Sequence, residues 1–65
     1  MKILLGEIIH KKNLTVRQVS VITGLPKSTI SDIVSGRSSP RMETMEQLAV
    51  GLQVPITALF ESPFK

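Results

Sequence analysis

The sequence predicts an all-α domain of five short helices, and three observations support this prediction. Glycine, proline and asparagine residues divide the chain into segments of helix length. Apolar residues recur at spacings of three and four within those segments. No Asn-Gly or Asp-Gly turn lies between alternating runs, so β-hairpins are not expected. The length of 65 residues predicts a single domain over residues 1–65.

The first helix is expected over residues 2–12 and the second over residues 16–23. Lys11 and Lys12 fall in the last turn of helix 1, where cations interact favourably with the helix dipole. Thr15 is predicted to be the N-cap of helix 2, and the glutamine three residues later completes a capping box. The residues predicted to face inward are Met1, Leu5 and Ile8, with Ile9 as a further candidate, and then Val16, Val19, Ser20 and Thr23.

Helix 3 is expected over residues 27–35, after Pro26, and Gly36 is expected to end it. Its predicted inward residues are Ile30, Ile33 and Val34. Its outer side is predicted to carry Lys27, Ser28, Ser31, Asp32 and Ser35.

Helices 4 and 5 are expected over residues 42–52 and 56–61. Met42 and Met45 are interpreted as core-filling side chains. The other inward residues are predicted to be Leu48, Ala49 and Leu52 in helix 4, and Leu59 and Phe60 in helix 5.

Helices 2 and 3 have the spacing of a helix-turn-helix over about residues 16–35. Ser20 lies four residues before the glycine of the turn, and its small size lets the two helices cross closely. Leu25 fills the space between them, while Ile30 and Ile33 hold helix 3 from beneath. The outer side of helix 3 is then left rich in hydroxyl groups, which donate hydrogen bonds to phosphates and base edges.

The charges are unevenly distributed, and the formal net charge is +3. Between Lys11 and Arg41 the chain has six basic residues and one acidic residue, Asp32. This segment is suited to an anionic partner. The chain has no tyrosine or tryptophan and two phenylalanines, which disfavours base stacking on single strands or RNA.

Several segments carry a recognisable pattern when taken together: Asn13-Leu14-Thr15, Gly24 to Ile33, Gly36 to Pro40, Glu43 to Ala49, Leu52-Gln53-Val54 and Leu59-Phe60. With these segments the chain resembles the Cro/C1-type (XRE) helix-turn-helix family over about residues 5–60. The resemblance implies a compact five-helix, lambda-repressor-like DNA-binding domain in which helices 2 and 3 read double-stranded DNA.

The resemblance also implies which residues meet DNA. Base contacts are implied for Lys27, Ser28 and Asp32, with Thr29 and Ser31 as nearby base or phosphate contacts. Phosphate contacts are implied for Thr15 and Arg17 at the start of helix 2 and for Arg37, Ser38 and Arg41 after helix 3. Lys11 and Lys12 are further candidates for phosphate contacts.

Each of these residues also has a structural interpretation. The lysines and arginines could be solvated surface charges, and Ser28 could be a capping hydroxyl. Asp32 could accept from cytosine N4, pair with Lys27 or Arg37, or lie off the groove. Val16 stands where the family often has glutamine, and Pro26 replaces a commoner serine or threonine.

The chain has more apolar residues than a core of this size easily hides. One interpretation is a homodimer surface built from helix 5 and its neighbours. The alternative is that these side chains are exposed singly, as is normal on a protein surface. The residues concerned are Ile3, Leu4, Ile9, Val50, Ile56, Phe60 and Phe64.

The sequence therefore predicts a small transcription regulator, a repressor that reads a palindromic operator through helix 3. The alternative is a protein-interaction module of the same fold, antitoxin-like or anti-repressor-like, which Asp32 and Val16 favour. An enzyme is not expected, because no nucleophile–base pair, phosphate loop or metal-ligand cluster occurs, and His10 is expected at the surface. We expect no metal, cofactor, small-molecule ligand or membrane partner, and a cytoplasmic location with the nucleoid.

Overall fold

The computed structural model describes residues 1–64, so Lys65, the last residue of the predicted domain, lies outside the described part. Three of the predicted helices begin and end as expected. The α-helices are α1 (Leu5–Lys11), α2 (Val16–Thr23), α3 (Lys27–Ser35) and α4 (Met42–Leu52). They are accompanied by a 3-10 helix (Ile56–Leu59) and by two short strands, β1 (Lys2–Ile3) and β2 (Phe60–Glu61).

The prediction of five helices is wrong at both ends of the chain. Helix 1 begins at Leu5 and not at residue 2, because Lys2–Ile3 forms an antiparallel pair with Phe60–Glu61. The N–H of Leu4 extends this pairing by donating to the carbonyl of Leu59 at 2.8 Å. Met1 consequently leaves the predicted inward face of helix 1 and is 81% exposed.

The fifth element is also shorter than predicted. Pro55 precedes a single turn of 3-10 helix, and the chain is extended at Phe60, with φ −147° and ψ 159°. Phe60 belongs to the strand because its backbone pairs with Ile3. The four α-helices therefore lie between two short strands, which pair and so bring the two ends of the described chain together.

The core lies where the helical faces converge, and the predicted inward residues supply most of it. Leu5, Val19, Ile30, Leu48 and Leu59 are fully buried, and each comes from a different helical element. Burying a large aliphatic side chain contributes about 1.5–3 kcal/mol. Around these lie Ile9, Ile33, Met45, Ala49, Leu52 and, as a buried polar residue, Thr23.

Besides Met1, two further residues predicted to face inward lie at the surface. Val34 is 44% exposed, because Ile30 and Ile33 fill the space beneath α3 and leave Val34 at its edge, beside Gly6. Met42 is 69% exposed, since it opens α4 before the buried face begins at Met45. No helix among residues 1–64 has the length and apolar character needed to span a bilayer.

Helices α2 and α4 pack closely at Gly51. A Cβ atom at this position would lie 2.8 Å from Thr23 Cγ2 and 3.2 Å from Thr23 Cα. The second distance involves the backbone of α2, which does not move as a side chain would. A glycine is therefore required at this helix crossing for steric reasons.

We predict that Gly51→Ala lowers the free energy of unfolding, because the added methyl group forces the two helices apart. Overpacking of this kind costs about 1–3 kcal/mol, more than the roughly 0.5–1 kcal/mol that alanine gains over glycine in a helix. Gly6→Ala is the matched control, because its Cβ would meet only the end of the half-exposed Val34 side chain, at 3.3 Å. Urea denaturation measures both, and a Gly51→Ala chain as stable as Gly6→Ala would contradict the steric argument.

Candidate nucleic-acid interface

The start of α2 leaves two backbone donors available. Thr15 Oγ1 accepts the N–H of Gln18 at 3.1 Å, and the N–H of Thr15 donates to Gln18 Oε1 at 2.8 Å. The predicted capping box is therefore confirmed. The first backbone bond of the helix runs from Val19 to the carbonyl of Thr15. The N–H groups of Val16 and Arg17 thus remain as orphan donors at the positive end of the helix dipole.

Hydrogen bonds hold the turn between α2 and α3 in one conformation. Gly24 adopts the left-handed conformation, with φ 77°, and its N–H donates to the carbonyl of Ser20 at 2.9 Å. The hydroxyl of Ser20 donates to the carbonyl of Leu25 at 2.6 Å. The sequence predicted Ser20 for its size alone, whereas its hydroxyl also ties α2 to the residue that leads into α3.

A side chain from α4 also binds this turn, which the sequence did not indicate. Gln47 Nε2 donates to the carbonyl of Thr23 at 2.7 Å, where α2 ends. The Thr23 hydroxyl donates in turn to the carbonyl of Val19 at 2.7 Å and accepts the N–H of Leu25 at 3.3 Å. The turn is therefore fixed both from within and from α4.

Helix α3 is anchored on one side and open on the other. Ile30 and Ile33 are buried, with exposures of 0% and 4%. Pro26 is the N-cap residue, and no side chain caps the helix, so the first turn keeps uncapped N–H groups. Thr29 and Asp32 are half-buried, while the exposed residues of this side are Lys27, Ser28, Ser31 and Ser35.

The loop after α3 is tied to the helix through Asp32. Its carbonyl accepts the N–H of Arg37 at 2.9 Å and that of Ser38 at 3.3 Å, after Gly36 turns the chain at φ 82°. The side chains of Asp32 and Arg37 also form an ion pair, with Oδ1 and Nη1 3.9 Å apart. The side chains of Asp32 and Arg37 are 43% and 79% exposed, so the ion pair is solvated and weak. Another anion can therefore bind the Arg37 guanidinium in place of Asp32.

The structure brings some of the predicted contact residues together and separates others. Thr15 and Arg17 lie at the start of α2, and Arg37 and Ser38 lie beside Asp32. Arg41 is exposed as the N-cap residue of α4. Lys11 and Lys12, by contrast, line an open groove between α1 and the segment 54–58.

Among residues 1–64, no three histidine, aspartate or glutamate side chains are grouped so that they could hold a metal ion. Apart from the Asp32 carboxylate, the functional side chains exposed on α3, at the start of α2 and in the loop after α3 are mainly hydroxyls and cations. This arrangement can donate hydrogen bonds to anionic or carbonyl oxygens.

We predict that Ser20→Ala lowers the free energy of unfolding by about 1 kcal/mol, because it leaves the half-buried carbonyl of Leu25 without its donor. The matched control is Ser35→Ala, which removes an exposed hydroxyl that donates to the carbonyl of Asp32 at 3.3 Å. The control should stay within about 0.5 kcal/mol of the wild type. Thermal and urea denaturation measure both, and equal effects would refute a special role for Ser20.

Comparisons with known proteins agree with this geometry. The family model HTH_3, described as Helix-turn-helix, matches residues 6–59. The uncharacterized HTH-type transcriptional regulator RghRB of Bacillus subtilis (strain 168) is 40% identical over an alignment of 52 residues, and the match covers 78% of this chain and 37% of that protein. The crystal structure of an HTH_3 family transcriptional regulator from Vibrio cholerae matches with a TM-score of 0.81 and 28% identity, over 83% of this chain and 30% of that chain.

This chain thus spans about a third of the length of each of these relatives. Both relatives are named as transcriptional regulators and not as enzymes. The match over residues 6–59 covers most of the chain and confirms the resemblance found in the sequence. The chain belongs to the helix-turn-helix family HTH_3, of the XRE or Cro/C1 type.

Proposed function

We propose that this chain is a sequence-specific DNA-binding transcription regulator, a repressor that reads a palindromic operator through α3. The observation that carries the proposal is the anchoring of α3. Ile30 and Ile33 fix the helix from below, while Lys27, Ser28 and Ser31 are exposed on it. A rigidly held helix with short polar side chains fits the major groove of B-form DNA.

Base recognition is assigned to the first turns of α3. Lys27 stands at the first position of a helix whose N-terminus has no side-chain cap. A lysine there is slightly unfavourable for the helix dipole, which indicates a role other than stability. Its ammonium group donates to guanine O6 and N7, and the hydroxyls of Ser28 and Ser31 serve either donor or acceptor edges. Thr29 is half-buried and offers less of its side chain to a groove.

Phosphate contacts are assigned to the two segments that flank α3. At the start of α2, the free backbone N–H groups of Val16 and Arg17 offer donors to one phosphate. After α3, Arg37 and Ser38 are held beside Asp32, and Arg41 is exposed further along. These contacts fix the register of the protein on the duplex without reading its sequence.

Asp32 has one side-chain partner, the Arg37 guanidinium. When Arg37 turns to a phosphate, the carboxylate becomes free to accept from cytosine N4. Val16, one of the two residues that favoured the protein-interaction module, packs partly against the core. Its apolar character therefore has a structural explanation, and Asp32 alone still favours that alternative.

A single recognition helix gives limited affinity, so we propose that two copies bind together as a homodimer on nucleoid DNA in the cytoplasm. Their half-sites would lie one helical turn apart, at about 34 Å. In this proposal the chain acts as one domain, and it needs no cofactor.

In vitro selection of DNA from a random duplex pool tests the proposed function. We expect enrichment of two inverted half-sites with a fixed spacing, and affinity that falls steeply with salt as counterions are released. A pool with no preferred sequence after selection at low salt would refute the proposal. A protein partner recovered together with such a failure would support the interaction module instead.

We predict that Lys27→Ala and Arg37→Ala affect DNA binding differently. Lys27→Ala, which removes a base contact, should weaken binding to the selected site by about 1–3 kcal/mol and relax the preference at one base pair. Arg37→Ala, which removes a phosphate contact, should weaken binding to all sequences alike and lower the slope of log affinity against log salt by about one. Lys2→Ala, which removes an exposed lysine from β1, is the charge-matched control and should leave binding unchanged. Fluorescence anisotropy on selected and scrambled duplexes measures all three.

If Lys27→Ala, like Arg37→Ala, weakened binding to the selected and the scrambled duplex by the same factor, the assignment of Lys27 to base recognition would be wrong. If neither differed from Lys2→Ala, α3 would not be the DNA-reading helix.

A further inference from the structure

The exposed apolar side chains overlap only in part with the set from which the sequence suggested a dimer surface: Ile3, Leu4, Ile9, Val50, Ile56, Phe60 and Phe64. Of these seven residues, Val50 and Phe64 are exposed, Ile9 is buried and Leu4 is half-buried, while Ile3, Ile56 and Phe60 pack partly against the core. Val21 and Val50 are 80% and 77% exposed, and Ile22 is 46% exposed. These three aliphatic residues come from the outer sides of α2 and α4, and we refer to them as the α2–α4 face.

The α2–α4 face is continuous across the two helices. A Cβ atom at Gly51 would lie 3.3 Å from Ile22 Cγ2, so the glycine brings the neighbouring Val50 up to α2. Two shallow depressions share Ile22 as a common wall, and one of them also includes Val21 and the other Val50. Ile22 therefore joins the two exposed valines into one apolar strip.

Charges of opposite sign flank this strip on its two sides. The depression on the α2 side is lined by Arg17 and has no acidic residue. The depression on the α4 side is lined by Glu43 and Glu46 and has no basic residue. Within residues 1–64 the one ion pair joins Arg37 to Asp32, so Arg17, Glu43 and Glu46 have no ionic partner among those residues.

We propose that the α2–α4 face binds a second copy of this chain about a two-fold axis that passes near Ile22. In a two-fold contact each residue i of one copy meets residue j of the other, and j meets i. The arginine side of each copy then faces the glutamate side of the other, and both ion pairs form at once. An apolar centre between complementary charged edges is the usual composition of a protein interface.

This inference supplies the surface for the homodimer and so rests on the proposed function. Three aliphatic side chains form a small centre, smaller than that of a standard interface. The contact is therefore weak in free solution, and two copies bound to neighbouring half-sites would make it at high effective concentration.

Sedimentation equilibrium without DNA tests the contact, over protein concentrations from low micromolar to millimolar. We expect the wild-type mass to rise from one copy towards two. Val21→Gln combined with Val50→Gln should abolish that rise, since it removes the apolar centre without adding charge. Phe64→Gln is the matched control, because it also replaces an exposed apolar residue, 94% exposed, outside the α2–α4 face, and it should associate like the wild type. Far-UV circular dichroism verifies that each variant is folded.

A charge exchange makes the test specific for the two-fold arrangement. Arg17→Glu alone places like charges against each other in the contact, and so does a chain with both Glu43→Lys and Glu46→Lys. Each should remain a single copy at concentrations where the wild type pairs. An equimolar mixture restores both ion pairs, so it should again reach the mass of two copies.

A wild-type chain that stays a single copy throughout would overturn the proposal, as would a mixture no heavier than its components. Neither result involves DNA, so it leaves the DNA-binding proposal untouched. If the chain pairs in solution but selects DNA with only a single half-site, the palindromic operator would be wrong. The proposed interface between two copies would then still stand.

Discussion

The architecture depends on the attachment of α3 to the core through Ile30 and Ile33. Both side chains are buried, and they hold a short helix that has no capping side chain at its start. Because isolated helices of this length are marginal in water, packing has to supply the stability that the helix lacks. The side of α3 that does not pack is then free to carry serines, which weaken a helix and to which we assign DNA recognition as a proposal.

The hydrogen bonds around the turn complete this attachment. The side chains of Ser20 in α2 and Gln47 in α4 donate to two backbone carbonyls of the turn, which would otherwise lack a donor. In the loop that follows α3, the carbonyl of Asp32 accepts the N–H groups of Arg37 and Ser38. The position of α3 and of its flanking donors is thus fixed before any ligand arrives, which lowers the entropic cost of binding.

The parts of the fold that local signals determine could be predicted from the sequence. The Thr15 and Gln18 capping box, Gly24 and Gly36 set the ends of α2 and α3, and both helices have the predicted bounds. The strand pair could not be predicted, because it joins Lys2–Ile3 to Phe60–Glu61, residues at opposite ends of the described chain.

The candidate site was predictable as a set of residue types but not as a set of contacts. Helical spacing in the sequence predicts which hydroxyl and cationic side chains lie on the outer side of α3 and next to it. The hydrogen bonds of Ser20 and Gln47 depend on how the helices cross, which spacing does not specify. The exposure of Val34 also follows from packing, because two neighbouring isoleucines already fill the space under the helix.

The most direct test of the account is an amide NMR titration of the ¹⁵N-labelled chain with a DNA duplex recovered by selection. The account predicts the largest shift changes at the free N–H groups of Val16 and Arg17, in the first turns of α3 and at Arg37 and Ser38. The amides of the buried anchor residues should change little, because the helix is already in place. Changes concentrated in α1, or a general loss of the free-state spectrum on binding, would contradict a preformed α3 as the DNA-reading element.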